Sequence, residues 1–122
     1  MKRFPPSVFD VGHEPDPRFS LANERTFLAW IRTALALLAG AGALNAVELA
    51  WPDWLGHLVA VVLALTGLGC VVTAWLGWTR VERALRLGAP LPGGRAHLVL
   101  LVGVGIVAGL VALASLVTAT SR

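Results

Sequence analysis

Residues 97–118 read HLVLLVGVGIVAGLVALASLVT, and this stretch decides the fold because it contains no Asp, Glu, Lys or Arg. A helix rises about 1.5 Å per residue, so about 20 apolar residues cross the hydrocarbon core of a bilayer, which is about 30 Å thick. Two further apolar stretches of that length precede it, at residues 26–47 and 55–78. The sequence therefore predicts an all-α fold, an integral membrane three-helix bundle that spans the bilayer at these three stretches.

The composition of the whole chain excludes most soluble classes of protein. Of its 122 residues, 57% are hydrophobic and 14% are charged, whereas soluble domains average about 45–50% and about 25%. The net charge of +3 does not predict a nucleic-acid partner, because the basic residues flank the apolar stretches instead of covering a polar face. The lipid bilayer is the first partner that the sequence predicts.

The basic residues also predict the orientation of the spans. Nine of the ten Lys and Arg residues precede or open the first span, or lie between the second and third, while the loop at 48–54 has two acids and no base. Lys and Arg in short loops stay on the cytoplasmic side. We therefore expect the N-terminus in the cytoplasm and the C-terminus outside. The five tryptophans lie at the predicted span boundaries, where indole rings prefer to sit.

The residues before the first span indicate where an N-terminal tail ends and the membrane domain begins. Residues 1–15 contain Pro5, Pro6 and scattered charges, which is typical of a mobile cytoplasmic tail. Asp16 followed by Pro17 is typical of a helix N-cap with proline at the first helical position, and Ser20 is a second candidate cap. The membrane domain is therefore expected to occupy residues 16–122.

The segment after the second span is expected to continue the helix to residue 87. Glu82 and Arg86 are four residues apart on that extension and would face each other as an ion pair. The glycine- and proline-rich residues 88–94 would end the helix.

Three arginines spaced by seven, Arg18, Arg25 and Arg32, would lie on one line along the first helix. One interpretation makes them topology anchors, with Arg32 extending back to the interface. The other places the line against a polar interior where it meets an anion. Glu24 would pair with an arginine of the next loop or of another subunit, or would be a first-turn acid favoured by the helix dipole.

A second basic group lies between the second and third spans: Arg80, Arg83, Arg86 and Arg95. Such residues set topology or contact anionic lipid. Together with the first line they would also form a basic funnel suited to phosphate, because arginine offers planar, bidentate donors. Asn23 and Thr26 are interpreted as local hydrogen-bonding residues.

Small residues in the spans predict close contacts between helices. The residues that could carry catalysis or bind a metal do not have the spacing of an enzyme site. Gly105 and Gly109 have the four-residue spacing that allows helices to approach in lipid. Three helices alone cannot enclose much of a pore, so a conduit would require several chains, that is, a homo-oligomer. The three histidines lack the spacing of a metal site, and Cys70 in the second span is expected to be a packing residue. No catalytic residue, metal or cofactor is predicted.

Residues 16–33, DPRFSLANERTFLAWIRT, carry a recognisable signature. The chain resembles the YidH-type family of small three-span proteins of the bacterial inner membrane, a domain of unknown function. The same module resembles the membrane part of the eukaryotic vacuolar transporter chaperone, a polyphosphate polymerase whose membrane helices associate as a ring through which the polyanion passes. The resemblance implies conduit or supporting roles for five residues here: Arg18, Glu24, Arg25, Arg80 and Arg95.

Two functional hypotheses result. The first is a homo-oligomeric conduit for an anion, phosphate or polyphosphate, with these anion-binding residues: Arg18, Glu24, Arg25, Arg32, Arg80 and Arg95. The second is a non-conducting membrane scaffold that binds anionic lipid or a partner protein through the basic loop between the second and third spans.

Overall fold

The computed structural model describes residues 3–93 and 96–120. Within these ranges the chain is helical without strands, and its helices are α1 (Pro6–Phe9), α2 (Pro17–Ala46), α3 (Asp53–Leu87) and α4 (Ala96–Thr120). The three long helices are each long and apolar enough to cross a membrane. The predicted all-α fold with three membrane-spanning helices is therefore confirmed, while the orientation of the termini stays a prediction.

Helix α3 is the central element because it packs against both of its long neighbours, α2 and α4. The residues Val59, Cys70 and Ala74 follow its buried side and are at most 3% exposed. Cys70 has the packing position that the sequence predicts. Most other apolar side chains of the three helices are exposed in the single chain, as expected where lipid or another subunit covers them.

The start of α2 follows from its capping residues. Asp16 is the N-cap, and its carboxylate accepts a hydrogen bond from the backbone N–H of Arg18 at 2.9 Å, with Pro17 as the first helical residue. The Arg18 guanidinium also donates to Asp16 at 2.9 Å. Both hydrogen bonds lower the pKa of the Asp16 carboxyl, and the one from the Arg18 side chain has the larger effect. The predicted cap is confirmed, and Ser20 lies inside the helix.

The end of α3 has the extension that the sequence predicts but different side-chain partners. The helix runs to Leu87 and stops at Gly88, whose φ of +66° is the left-handed conformation that glycine adopts without strain. The predicted ion pair between Glu82 and Arg86 is wrong. Each of these side chains binds a different neighbouring element, because each is buried and finds polar groups there.

The tightest glycine contacts between helices lie outside the Gly105 and Gly109 motif that the sequence suggests. A Cβ atom on Gly103 of α4 would overlap the side chain of Thr66 on α3, and a Cβ on Gly67 would lie 3.1 Å from Leu38 of α2. Gly105 and Gly109 have no neighbour within 4 Å of the position that a Cβ would occupy in the described chain. Close packing of α3 therefore uses Gly67 and Gly103, and the predicted pair is open.

The segment before α2 packs against the end of α3. Val8 of α1 is 1% exposed, and the backbone N–H of His13 donates to the Arg86 carbonyl at 3.0 Å. Gly12 has a φ of +61°, and a Cβ there would overlap the Arg86 carbonyl. The sequence predicts a mobile tail over residues 1–15; its mobility stays a prediction, but residues 3–15 are placed along α3 and not apart from it.

We expect Gly103→Ala to destabilise the packing of α4 on α3, since the added methyl group must displace the Thr66 side chain or separate the helices. Forced overlap of this kind costs about 1–3 kcal/mol. The matched control is Gly105→Ala, whose methyl group meets open space. Thermal unfolding in detergent measures the difference, and equal midpoints for the two variants would contradict the contact.

Candidate functional site

The charged and aromatic residues concentrate at the end of the helices where α2 begins and α3 ends, which we call the arginine end. The other end of this hairpin is the loop at residues 47–52. At the arginine end, α2 presents two faces of different chemistry, one toward α3 and one away from the chain.

The outward face of α2 carries the predicted line of arginines. Asn23 bonds to α3 and Ala34 packs beside Gly67 of α3, so these two residues mark the inward face. Arg25 is two positions after Asn23, and Arg32 is two positions before Ala34. Two positions on a helix are about 200° apart, so both arginines point away from α3, and both are exposed.

Arg18 is the third member of the line and is held by its own helix cap. Its side chain is 86% exposed, and its guanidinium is bound to Asp16 at 2.9 Å. Seven residues of helix rise about 10 Å, so Arg18, Arg25 and Arg32 stand at successive levels along one face. The line is therefore continuous, with one member already paired to a carboxylate.

The second predicted basic group is divided. Arg80 is exposed, and Arg83 is exposed with a hydrogen bond to the Ser7 carbonyl at 3.2 Å. Arg86 is 7% exposed and belongs to the interior. Arg95 lies outside the described residues. The described chain thus does not gather this group into one basic surface.

Arg86 holds the N-terminal segment in place. Its guanidinium donates to the carbonyls of Phe9 at 3.0 Å and Val11 at 2.9 Å, and to the Glu14 carboxylate at 3.3 Å. A buried cation must be hydrogen-bonded and paired to offset its lost hydration, and these three acceptors come from one short segment. The arginine therefore fixes the backbone of residues 9–14 against α3.

Glu82, one turn before Arg86, fixes α2 against α3. It is 4% exposed, and its two oxygens accept hydrogen bonds from the Ser20 hydroxyl at 2.7 Å and the Asn23 amide at 3.2 Å. Asn23 also donates to the Trp78 carbonyl at 3.1 Å. Asn23 is thus a contact between helices and not the local residue that the sequence predicts, whereas Thr26 bonds locally to the Ala22 carbonyl as predicted.

Aromatic rings connect the N-terminal segment to the two helices. Trp75 and Trp78 of α3 stack with ring centroids 5.6 Å apart, Phe4 stacks on Trp75 at 6.3 Å, and Phe9 lies 6.1 Å from Trp78. The Phe27 ring of α2 lies 6.4 Å from the Trp78 ring, between centroids. Sequence reasoning places the two tryptophans at a membrane boundary but does not detect this cluster, because its partners are distant in sequence.

A crevice of about 510 Å³ opens between these elements. Its walls include Phe9, Phe27, Trp75 and Trp78, and the carboxylate residues Glu14, Glu24 and Glu82 also line it. Glu24 is in the third turn of α2, so the expectation of a first-turn acid is wrong. None of the three ion pairs among the described residues includes Glu24 or Glu82.

Comparisons with known proteins give a family and no reaction. A family model described as a domain of unknown function, DUF202, matches residues 18–84. Inner membrane protein YidH of Escherichia coli (strain K12) is 46% identical over 109 residues, which cover 83% of this chain and 92% of the relative. An uncharacterized protein of Mycobacterium tuberculosis (strain ATCC 25618 / H37Rv) is 48% identical over 110 residues, which cover 85% of each chain. No solved structure matches.

Arg86→Ala is expected to release residues 9–14 from α3, because it removes hydrogen bonds from a charged donor that are worth about 1.5–3 kcal/mol each. Amide hydrogen exchange at Phe9, Asp10 and His13 should accelerate by at least about tenfold. Arg83→Ala is the control, since that side chain is exposed and bonds to a single carbonyl. Unchanged exchange in Arg86→Ala would show that the segment is held by other contacts.

Proposed function

The chain belongs to the DUF202 family, a family of unknown function whose relatives include the inner membrane protein YidH, and on that premise we propose that it forms a homo-oligomeric conduit for an anion. It is a multi-pass protein of the bacterial inner membrane with three helices that can span it. The proposed lining is the outward face of α2, and the proposed cargo is phosphate or polyphosphate.

The position of Arg32 carries this proposal. It is six residues, or about 9 Å, beyond the start of the predicted span at residue 26, and it lies on the face of α2 that points away from the rest of the chain. A charged side chain within a bilayer costs about 2.5–3.5 kcal/mol at the centre and less near the interface. Copies of the chain that turn this face toward a shared aqueous path would keep this guanidinium hydrated, and an anion in the path would offset the repulsion between the arginines.

The spacing of the arginines suits a multivalent anion. Guanidinium groups bind phosphate through two parallel hydrogen bonds, and Arg25 and Arg32 repeat such a donor at intervals of about 10 Å along the helix. Both are exposed, so their donors face outward. The resemblance to the membrane module of the vacuolar transporter chaperone supports the same cargo and a ring of several copies. Glu24, Arg18, Arg80 and Arg95 would support the mouth of the path.

The alternative is a scaffold that binds anionic lipid or a partner protein through the basic loop, and the contacts of that region favour it less. Arg86 is buried and bound to the N-terminal segment, and Arg83 is bonded to Ser7. In the described part of this group, Arg80 is exposed and forms no hydrogen bond or ion pair with the chain. Among the described arginines of this group, two exposed guanidinium groups, one of them already bonded to Ser7, offer less to an anionic surface than the sequence suggests.

We expect Arg25→Gln and Arg32→Gln each to reduce anion flux by about tenfold or more, since each removes a charge-assisted contact of about 1.5–3 kcal/mol. Release of phosphate and of polyphosphate from proteoliposomes measures the flux. Arg83→Gln is the matched control because its charge lies off the outward face of α2. Wild-type protein that releases neither anion faster than empty liposomes would refute the conduit.

The oligomer is tested separately from the flux. Ala36 is four positions after Arg32 on the same face of α2 and is exposed. In a Cys70→Ser background, Ala36→Cys should form disulfide-linked dimers in membranes, because copies of the residue meet around the path. Leu65→Cys, on α3 and 62% exposed, should remain monomeric. The reverse pattern would place the subunit contact on another face.

A further inference from the structure

The crevice at the arginine end has features that the proposed conduit does not use. Its walls are aromatic, and Glu82, one of its lining residues, is a carboxylate that is 4% exposed. Glu82 accepts hydrogen bonds from two neutral groups, and among the described residues it forms no ion pair. A buried anion without a cationic partner is costly unless a cation supplies the missing charge.

The chain itself shows that a cation fits beside these rings. The Arg3 guanidinium lies 4.5 Å from the centroid of the Phe9 ring and pairs with Glu14, and all three residues line the crevice. Arg3 has a side chain that is 51% exposed, so it occupies the mouth and not the interior. Glu24 and Glu82, which line the crevice with Trp78, have no cationic partner among the described residues and are left for another ligand.

We propose that this crevice binds an organic ammonium group, and specifically the primary ammonium of a phosphatidylethanolamine headgroup. Aromatic faces attract such cations by about 0.5–2 kcal/mol, more when water is excluded, and carboxylates accept hydrogen bonds from the N–H groups of a primary ammonium. Trp75 and Trp78 lie at the end of the predicted second span, so the crevice lies at the level of lipid headgroups. The crevice lies apart from the outward face of α2, and Glu24 is the one lining residue that it shares with the proposed mouth of the anion path.

Two substitutions should change binding in opposite directions. Glu82→Gln keeps the shape and removes the charge, and should lower retention of phosphatidylethanolamine by about tenfold. Arg3→Ala removes the competing guanidinium from the mouth and should raise retention several-fold, by about 1 kcal/mol or less. Glu48→Gln, a carboxylate change at the opposite end of the hairpin, should have no effect.

Native mass spectrometry of the full chain, supplied with equal amounts of phosphatidylethanolamine and phosphatidylglycerol, measures retention directly. Wild-type protein should retain the amine lipid in preference. Because Glu82 also connects α2 to α3, Glu82→Gln is interpreted only if its thermal unfolding matches that of wild type; if it does not fold, Arg3→Ala decides. The site is overturned if wild-type protein does not prefer phosphatidylethanolamine to phosphatidylglycerol. It is also overturned if this preference is unchanged both in Arg3→Ala and in folded Glu82→Gln. Displacement of the lipid by equimolar soluble ethanolamine overturns its assignment to a lipid headgroup.

Discussion

Two buried charges on successive turns of α3 determine how the arginine end is built. Glu82 and Arg86 are four residues apart and would neutralise each other on an isolated helix, but Glu82 bonds to α2 and Arg86 bonds to the segment before it. Each charge is 7% exposed or less, so each requires its partners. As a result, α3 orients both α2 and the N-terminal segment, because Glu82 and Arg86 do not form an ion pair with each other.

This constraint also sets the direction of the exposed arginines. Because Asn23 must reach Glu82 and the Trp78 carbonyl, the rotation of α2 about its axis is fixed at that level. Arg25, two residues later, is then directed away from α3, and Arg32 follows it on the next turns. The buried hydrogen bonds on one face of α2 thus position the guanidinium groups on the other. Substitution of Asn23 or Glu82 should therefore reorient the arginines on the outward face of α2, although neither residue belongs to that face.

The spans, the Asp16 cap and the helical extension to Leu87 could be predicted because each depends on local composition or on neighbouring residues. The placement of residues 3–15 could not, since it depends on acceptors along an irregular backbone that meet Arg86 only after folding. The glycine contacts within the chain could not be predicted for a related reason: spacing indicates which glycines share a face, but not which face meets another helix of the chain. Gly103 is buried against Thr66, whereas Gly105 is open.

Charge is therefore separated across α2, and this separation bears on both proposed ligands. The inward side combines aromatic rings with Glu24 and Glu82, which form no ion pair among the described residues, and the outward side carries the arginine line. An anion is repelled by the crevice and attracted to the outward face, while an ammonium group has the opposite preference. A zwitterionic headgroup in the crevice and an anion on the outward face would lie on opposite sides of α2. The two sites can be filled together, because they lie on opposite sides of α2 and the crevice selects the ammonium end of its ligand.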